Sequence, residues 1–114
     1  LDIECIYANS YKDSELIMQE IKRVLVPDGL FFSKTFMSGT YGDGNGEKLQ
    51  GEANTYLNIE KGGFNQGYGI IRLTSEEEIS KLYGVFQVKN VDYIIRSDNN
   101  RAHEIKEWLI VCQK

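Results

Sequence analysis

The strongest constraint on the fold is a helix-forming segment that lies between two short apolar segments. Its apolar side chains recur with the spacing of one helix face, and they are Ile17, Met18, Ile21, Val24 and Leu25. Pro27 disfavours helical geometry at the residue before it, and the Asp28-Gly29 pair favours a turn. Strands are predicted on either side, at residues 3–8 and at Leu30–Phe36. A crossover of about twenty residues between two strands predicts a right-handed parallel β-α-β unit.

The rest of the chain divides into one irregular part and three regular elements. Residues 38–69 hold nine of the eleven glycines, which predicts a long lid or substrate-binding loop. Thr74 and Glu77 form a capping box for a short second helix. Two strands follow, the first with a change of phase near Asn90 that predicts a bulge, and the second at residues 105–113. Because a single polar turn joins them, we predict an antiparallel hairpin.

Charge and hydropathy exclude several classes of protein. Seventeen acidic and thirteen basic residues give a net charge of −4 and a pI near 5.0, so we expect no nucleic-acid partner. No apolar run approaches the roughly 18 residues that cross a bilayer, and the first five residues contain two acids where a signal peptide carries bases. Cys5 and Cys112 form no metal-binding pattern, so we expect buried, reduced thiols in a cytoplasmic protein. The only histidine, His103, is expected to be exposed.

Four phrases of the sequence, in this order, resemble those of a known family. They are the opening Asp-Ile-Glu-Cys-Ile-Tyr, the helix-to-strand phrase Glu-Ile-Lys-Arg-Val-Leu-Val-Pro-Asp-Gly-Leu-Phe-Phe, the helix start Leu-Thr-Ser-Glu-Glu-Glu-Ile and the closing Trp-Leu-Ile-Val-Cys-Gln-Lys. The second phrase has Asp28 where the family usually has glycine. It keeps the family's other residues at Glu20, Arg23, Leu25, Pro27 and Gly29. On these residues the chain resembles the C-terminal half of a class I S-adenosylmethionine (SAM)-dependent methyltransferase.

The resemblance implies an α/β fold with a partial Rossmann-like methyltransferase sheet, made of two parallel strands, flanking helices and a C-terminal antiparallel hairpin. It implies that residues 1–114 form a single domain, the C-terminal portion of a methyltransferase domain. The glycine-rich turn that holds much of the cofactor in the family is then expected outside this chain. The Gly-Asp-Gly-Asn-Gly segment at residues 42–46 opens no helix pattern, and we interpret it as a flexible turn. The implied function is methyl transfer from SAM to a small-molecule acceptor.

The resemblance also indicates candidate cofactor contacts. In open α/β sheets, ligands bind beyond the C-terminal ends of the parallel strands. Asn9, Ser10 and Tyr11 follow the first predicted strand and are the candidates there. An Asx turn is an equal interpretation of Asn9, and packing against the helix is an alternative role for Tyr11.

Four further residues are candidate substrate contacts. Thr35 lies near the end of the second strand, and Tyr41, Asn54 and Tyr56 lie in the long loop, which in the family closes over the acceptor. Lys34 is expected to be a solvated strand-end charge. We assign no catalytic residue, because transfer from a sulfonium depends mainly on holding the acceptor and the methyl group in line.

Two other functions remain open at this point. The chain fits a non-catalytic, self-associating half-domain without a cofactor site. It also fits the nucleotide-binding half of another doubly wound protein such as a dehydrogenase, although a nicotinamide fold usually continues in parallel strands rather than in a hairpin. Because the first strand would form an exposed edge, we expect a homodimer or an association through that edge.

Overall fold

The fold is described from a computed structural model of residues 1–59 and 69–114. The predicted 38–69 loop therefore lies partly outside the described residues. In chain order the elements are β1 (Asp2–Ile3), a single 3₁₀ turn (Ile6–Ala8), α1 (Tyr11–Val24), β2 (Leu30–Phe36), β3 (Glu47–Lys48), β4 (Thr55–Leu57), β5 (Ile70–Arg72), α2 (Glu76–Leu82), β6 (Gln87–Asp98) and β7 (His103–Gln113).

The main sheet has four strands in the order β1-β2-β7-β6. β1 pairs with β2 in parallel, while β7 is antiparallel to both of its neighbours. A register shift between Val88 and Asn90 confirms the predicted bulge. The mixed α/β sheet, its parallel β-α-β unit and its terminal hairpin are therefore confirmed, as a partial Rossmann-like arrangement.

The first predicted strand is shorter than the sequence indicated. β1 ends at Ile3, because Glu4 adopts a left-handed backbone with a φ of 54°. The Asp2 carboxylate then accepts hydrogen bonds from the backbone N–H groups of Cys5 and Ile6, each at 3.2 Å. This side-chain cap turns the chain into the 3₁₀ turn, where an apolar run had predicted an extended strand.

The predicted long loop contains a second, smaller sheet. Its strand order is β3-β4-β5, and all of its pairs are antiparallel. Asn54 and Asn58 have positive φ angles of 53° and 50°, so each end of β4 carries a turn. The prediction of an irregular segment is wrong for residues 47–48 and 55–57, where short strands escape a search for longer alternating patterns.

Both helices begin at a serine cap. The side chain of Ser10 accepts from the backbone N–H of Asp13, and that of Ser75 accepts from the backbone N–H of Glu78. The second helix therefore starts one residue later than the predicted Thr74 capping box. In the described part of the chain, neither helix is long and apolar enough to cross a membrane.

Two apolar cores stabilise the domain. The first packs α1 and α2 against the main sheet through Ile6, Met18, Phe31, Ile79, Leu82, Tyr83, Phe86, Ile110 and Cys112. The second joins the smaller sheet to the ends of β2 and β7 through Tyr7, Phe36, Tyr56, Ile59, Ile71, Leu73 and Ile105. Cys112 is a free buried thiol as expected, but Cys5 is exposed, because the chain turns at this point instead of continuing as a buried strand.

Candidate functional site

A cleft of about 240 Å³ opens beside the N-terminus of α1, the helix that follows β1 in the parallel β-α-β unit. Its walls come from the start of α1, from the loop before β4 and from α2, through Tyr11, Gly51, Glu52, Ala53, Glu78 and Lys81. This is the edge of a parallel β-α-β unit at which ligands bind in open α/β sheets. The cleft is therefore the best candidate for a functional site among the described residues.

Tyr11 is held in the cleft by its backbone. Ser10 caps α1, so Tyr11 becomes the first helical residue, and its backbone N–H donates to the Glu52 carboxylate. Burial raises the pKa of the Tyr11 phenol, and the Glu15 and Glu78 carboxylates raise it further against the opposing charge of Arg72. The phenol is consequently neutral at physiological pH and offers a hydroxyl donor next to an apolar ring.

A buried arginine supports the floor of the cleft. Arg72 is 1% exposed, and its Nη1 donates to Glu78 Oε2 at 3.1 Å and to Thr74 Oγ1 at 3.4 Å. Its Nη2 donates to Ser14 Oγ at 3.1 Å, and its guanidinium lies 5.7 Å from the centre of the Tyr11 ring. This one side chain therefore ties α1, β5 and α2 together behind the cleft.

Asn54 is the predicted substrate residue that lies nearest to this network. Its Nδ2 donates to Glu78 Oε1 at 2.8 Å, which fastens the loop before β4 to the first turn of α2. Asn9 makes weaker contacts, because its Nδ2 donates to the backbone oxygens of Ile6 at 3.3 Å and of Cys5 at 3.4 Å. The Asn9 amide thus caps the 3₁₀ turn, and the N-cap of α1 is Ser10.

None of the four predicted substrate residues lines the cleft, and the other three lie elsewhere in the fold. Thr35 is 2% exposed and faces Trp108 across the β2–β7 pair. Tyr56 is 5% exposed within the second core. Tyr41 packs against that core and stacks on His103, with ring centroids 3.7 Å apart, so His103 is half-buried rather than exposed.

Tyr56 has an electrostatic environment that keeps it protonated. Burial raises its pKa to about 12, together with a hydrogen bond to Asp43 and the negative charge of that carboxylate, against a smaller opposing effect of the Gly44 backbone. Asp43 belongs to the glycine-rich segment at residues 42–46, which leads into β3 and opens no helix. In the structure this segment is a turn that packs beside Tyr56, which agrees with the predicted turn, while its flexibility stays a prediction.

A second charged cluster, which the sequence did not indicate, crosses the main sheet. Lys34 Nζ lies 3.2 Å from Glu107 Oε2 and 3.6 Å from Glu4 Oε1, so Lys34 is paired and half-buried instead of solvated. Burial and the neighbouring Glu107 raise the pKa of Glu4. Burial also acts to raise the pKa of Glu107, but the hydrogen bond with Glu4 and the charges of Lys34 and Arg96 outweigh it and lower that pKa.

The cleft combines the aromatic ring of Tyr11 with the carboxylates of Glu52 and Glu78 and the ammonium of Lys81. This combination suits the positioning of a polar small molecule. Glu52, Glu78 and Arg72 were not predicted as site residues. The phrase Gly-Glu-Ala-Asn-Thr-Tyr at residues 51–56 resembles one in small-molecule methyltransferases, and this resemblance could have identified Glu52 as a site residue. Within residues 1–59 and 69–114, no three His, Cys, Asp or Glu side chains are grouped so that they could hold a metal ion.

No protein-family model and no curated protein matches the chain. Among solved structures, the chain is similar to a SAM-dependent methyltransferase from Methanosarcina mazei, with a TM-score of 0.63 and 18% sequence identity. The match covers 92% of this chain and 52% of that one, so the chain spans about half the length of the structure that it matches. The fold is therefore methyltransferase-like.

Proposed function

We propose that this chain is the acceptor-side, C-terminal half of a class I SAM-dependent methyltransferase domain, which transfers a methyl group to a small molecule. The observation that carries the proposal is the position of the Tyr11 cleft at the N-terminus of α1, the helix that follows β1 in a fold similar to that of a methyltransferase. Asn9, Ser10 and Tyr11 are the proposed cofactor contacts, and Asn54 is the proposed substrate contact nearest to the cleft. Thr35, which is buried in the main sheet, and Tyr41 and Tyr56, which lie at the second core, are proposed to contact substrate only if the fold around them opens.

The chemistry of the cleft is compatible with methyl transfer. The sulfonium of SAM is already a good leaving group, so the site must mainly align the acceptor with the methyl carbon. A neutral Tyr11 phenol and the Glu52 carboxylate offer a donor and an acceptor for that alignment. The ring of Tyr11 also offers an apolar face on which an adenine or an acceptor can stack.

The proposal requires a further α/β segment beside β1. A groove of about 370 Å³ runs along this edge between α1 and the start of β2, and its walls include Ile17, Ile21, Leu25 and Phe31. Leu1, Val24 and Leu30 also line it, and each is more than half exposed. An apolar groove beside a free parallel edge suits another strand and helix, and we propose that this edge is where the cofactor-binding half associates.

We further propose that the protein acts in the cytoplasm. Cys5 and Cys112 are both free thiols, and Cys5 is exposed. An exposed free thiol is more common in reducing compartments, where glutathione keeps thiols reduced.

The test is a calorimetric titration with S-adenosylhomocysteine, the demethylated cofactor. We expect a dissociation constant below about 1 mM for the chain, and an increase of about tenfold in Tyr11→Ala, because stacking on an aromatic ring is worth about 1–3 kcal/mol. Leu16→Ala is the matched control, since Leu16 is an exposed residue of the same helix. Equal affinities in all three proteins would exclude the Tyr11 cleft as the cofactor site.

A non-catalytic half-domain is the second candidate function. The burial of Thr35 and Tyr56 favours it, because both then serve as core residues. The absence of binding at millimolar S-adenosylhomocysteine would contradict a cofactor site built by this chain alone.

A further inference from the structure

Strand β6 is an edge strand that presents a long unpaired side. In the described part of the chain it has β7 on one side and no strand on the other. All of its residues from Gln87 to Ser97 are exposed, including large apolar side chains on both faces. These are Val88, Val91, Tyr93, Ile94 and Ile95. Soluble proteins protect such an edge with charge, proline, a bulge or a covering segment. The bulge and Lys89 protect only the start of β6, whereas residues 91–97 combine exposed apolar side chains with two opposite charges, a composition that suits a partner strand.

The sequence of β6 is complementary to itself in one antiparallel register. In a symmetric pair of antiparallel strands, one residue lies on the twofold axis and faces its own copy. With Ile94 on the axis, Asp92 lies opposite Arg96 of the second copy, and Tyr93 lies opposite Ile95. Opposite charges and aromatic–β-branched pairs both stabilise facing strands. Both pairs occur twice, because the twofold axis repeats them.

The neighbouring registers are less favourable. With Asp92 on the axis, two carboxylates face each other directly. With Tyr93 on the axis, Asp92 lies opposite Ile94 and diagonal to its own copy, so the charge pair is lost. Arg96 already lies 3.5 Å from the buried Glu107 within its own chain, which orients its guanidinium on the face that it shares with Asp92.

We propose that β6 binds β6 of a second copy of this chain, antiparallel and centred on Ile94, so that two four-stranded sheets become one continuous sheet. This interface lies at the opposite edge of the sheet from β1. It is therefore independent of the segment proposed to complete the methyltransferase domain. Failure of one proposal leaves the other standing.

Sedimentation velocity of the full chain tests the association. We expect a dimer at micromolar concentration, and a dissociation constant raised about tenfold or more in Asp92→Lys, where like charges then face each other at two sites. Glu15→Lys is the matched control, because it makes the same change of charge on the exposed side of α1. Circular dichroism melting shows whether both variants remain folded.

Disulfide trapping tests the register. In a Cys5→Ser background, Ile94→Cys is expected to form a covalent dimer under mild oxidation, because facing Cα atoms lie about 4.5–5.5 Å apart. Asp92→Cys is the control, since it lies about 13 Å from its own copy in this register and does not reach it. A monomeric chain, or a dimer that neither Asp92→Lys nor Ile94→Cys affects, would overturn the proposal. Trapping through Asp92→Cys alone would overturn the Ile94-centred register.

Discussion

At the scale of single residues, the cleft depends on one buried guanidinium. Arg72 lies in a short segment that reads as an ordinary apolar strand with one charge, so its sequence gives no sign of a structural role. Its partners, Ser14 and Glu78, lie 58 and 6 positions away along the chain. Only the folded structure brings them together, whereas Tyr11 was recognisable because it follows a predicted strand end.

Removal of this guanidinium is expected to lower the free energy of unfolding. Arg72→Met leaves the Glu78 carboxylate without its buried counter-charge, and breaking a buried ion pair in this way costs about 3–5 kcal/mol. Urea denaturation measures the loss. Adding Glu78→Gln to Arg72→Met removes the unpaired charge and is expected to recover part of the stability. A loss below about 1 kcal/mol in Arg72→Met would contradict a supporting role for this network.

At the scale of secondary structure, two hydrogen bonds through one serine hydroxyl link β1, β2 and the end of α2. Ser33 in β2 donates to the Asp2 carboxylate at 2.6 Å, and its oxygen lies 2.8 Å from the Tyr83 hydroxyl at the end of α2. Because Ser33 has one proton and gives it to Asp2, Tyr83 is the donor of the second bond. The sequence predicted each element but not this polar connection, which depends on the register of β1 against β2.

The burial of Tyr83 predicts a loss of stability at alkaline pH. Burial raises the pKa of Tyr83 to about 12, well above the unfolded value of 10. The folded state therefore binds this proton more tightly, and the contribution to stability is complete below pH 10 and falls as the pH rises toward 12. Tyr56 acts in the same direction, with a pKa of about 12. Urea denaturation at pH 8 to 12 should show the decline.

The variant Tyr83→Phe separates this effect from general alkaline unfolding. We expect lower stability at pH 8, because the hydrogen bond to Ser33 is lost, together with a shallower decline at high pH that differs by on the order of 2 kcal/mol. Tyr93→Phe, at an exposed position of β6, is the matched control. A decline in Tyr83→Phe as steep as that of the unaltered chain would show that Tyr83 does not contribute.

At the scale of the whole molecule, the two edges of the main sheet were predicted from different features of the sequence. The hairpin β6–β7 was predicted because its residues alternate, and the parallel β1–β2 unit was predicted from the helix between them. The small sheet was not, because its strands have only two or three residues each, and β4 pairs with β5 from a distant part of the chain. Local patterns identify long elements, whereas short strands form only when distant partners meet.

The Tyr11 cleft, and not the glycine-rich turn at residues 42–46, is the proposed site of cofactor binding. The most direct test is a map of backbone amide chemical shifts of the chain during titration with S-adenosylhomocysteine. We expect the largest changes at Asn9, Ser10 and Tyr11 and at residues 51–53, which line the facing side of the cleft. Changes confined to residues 42–46, or none at millimolar ligand, would contradict the proposal.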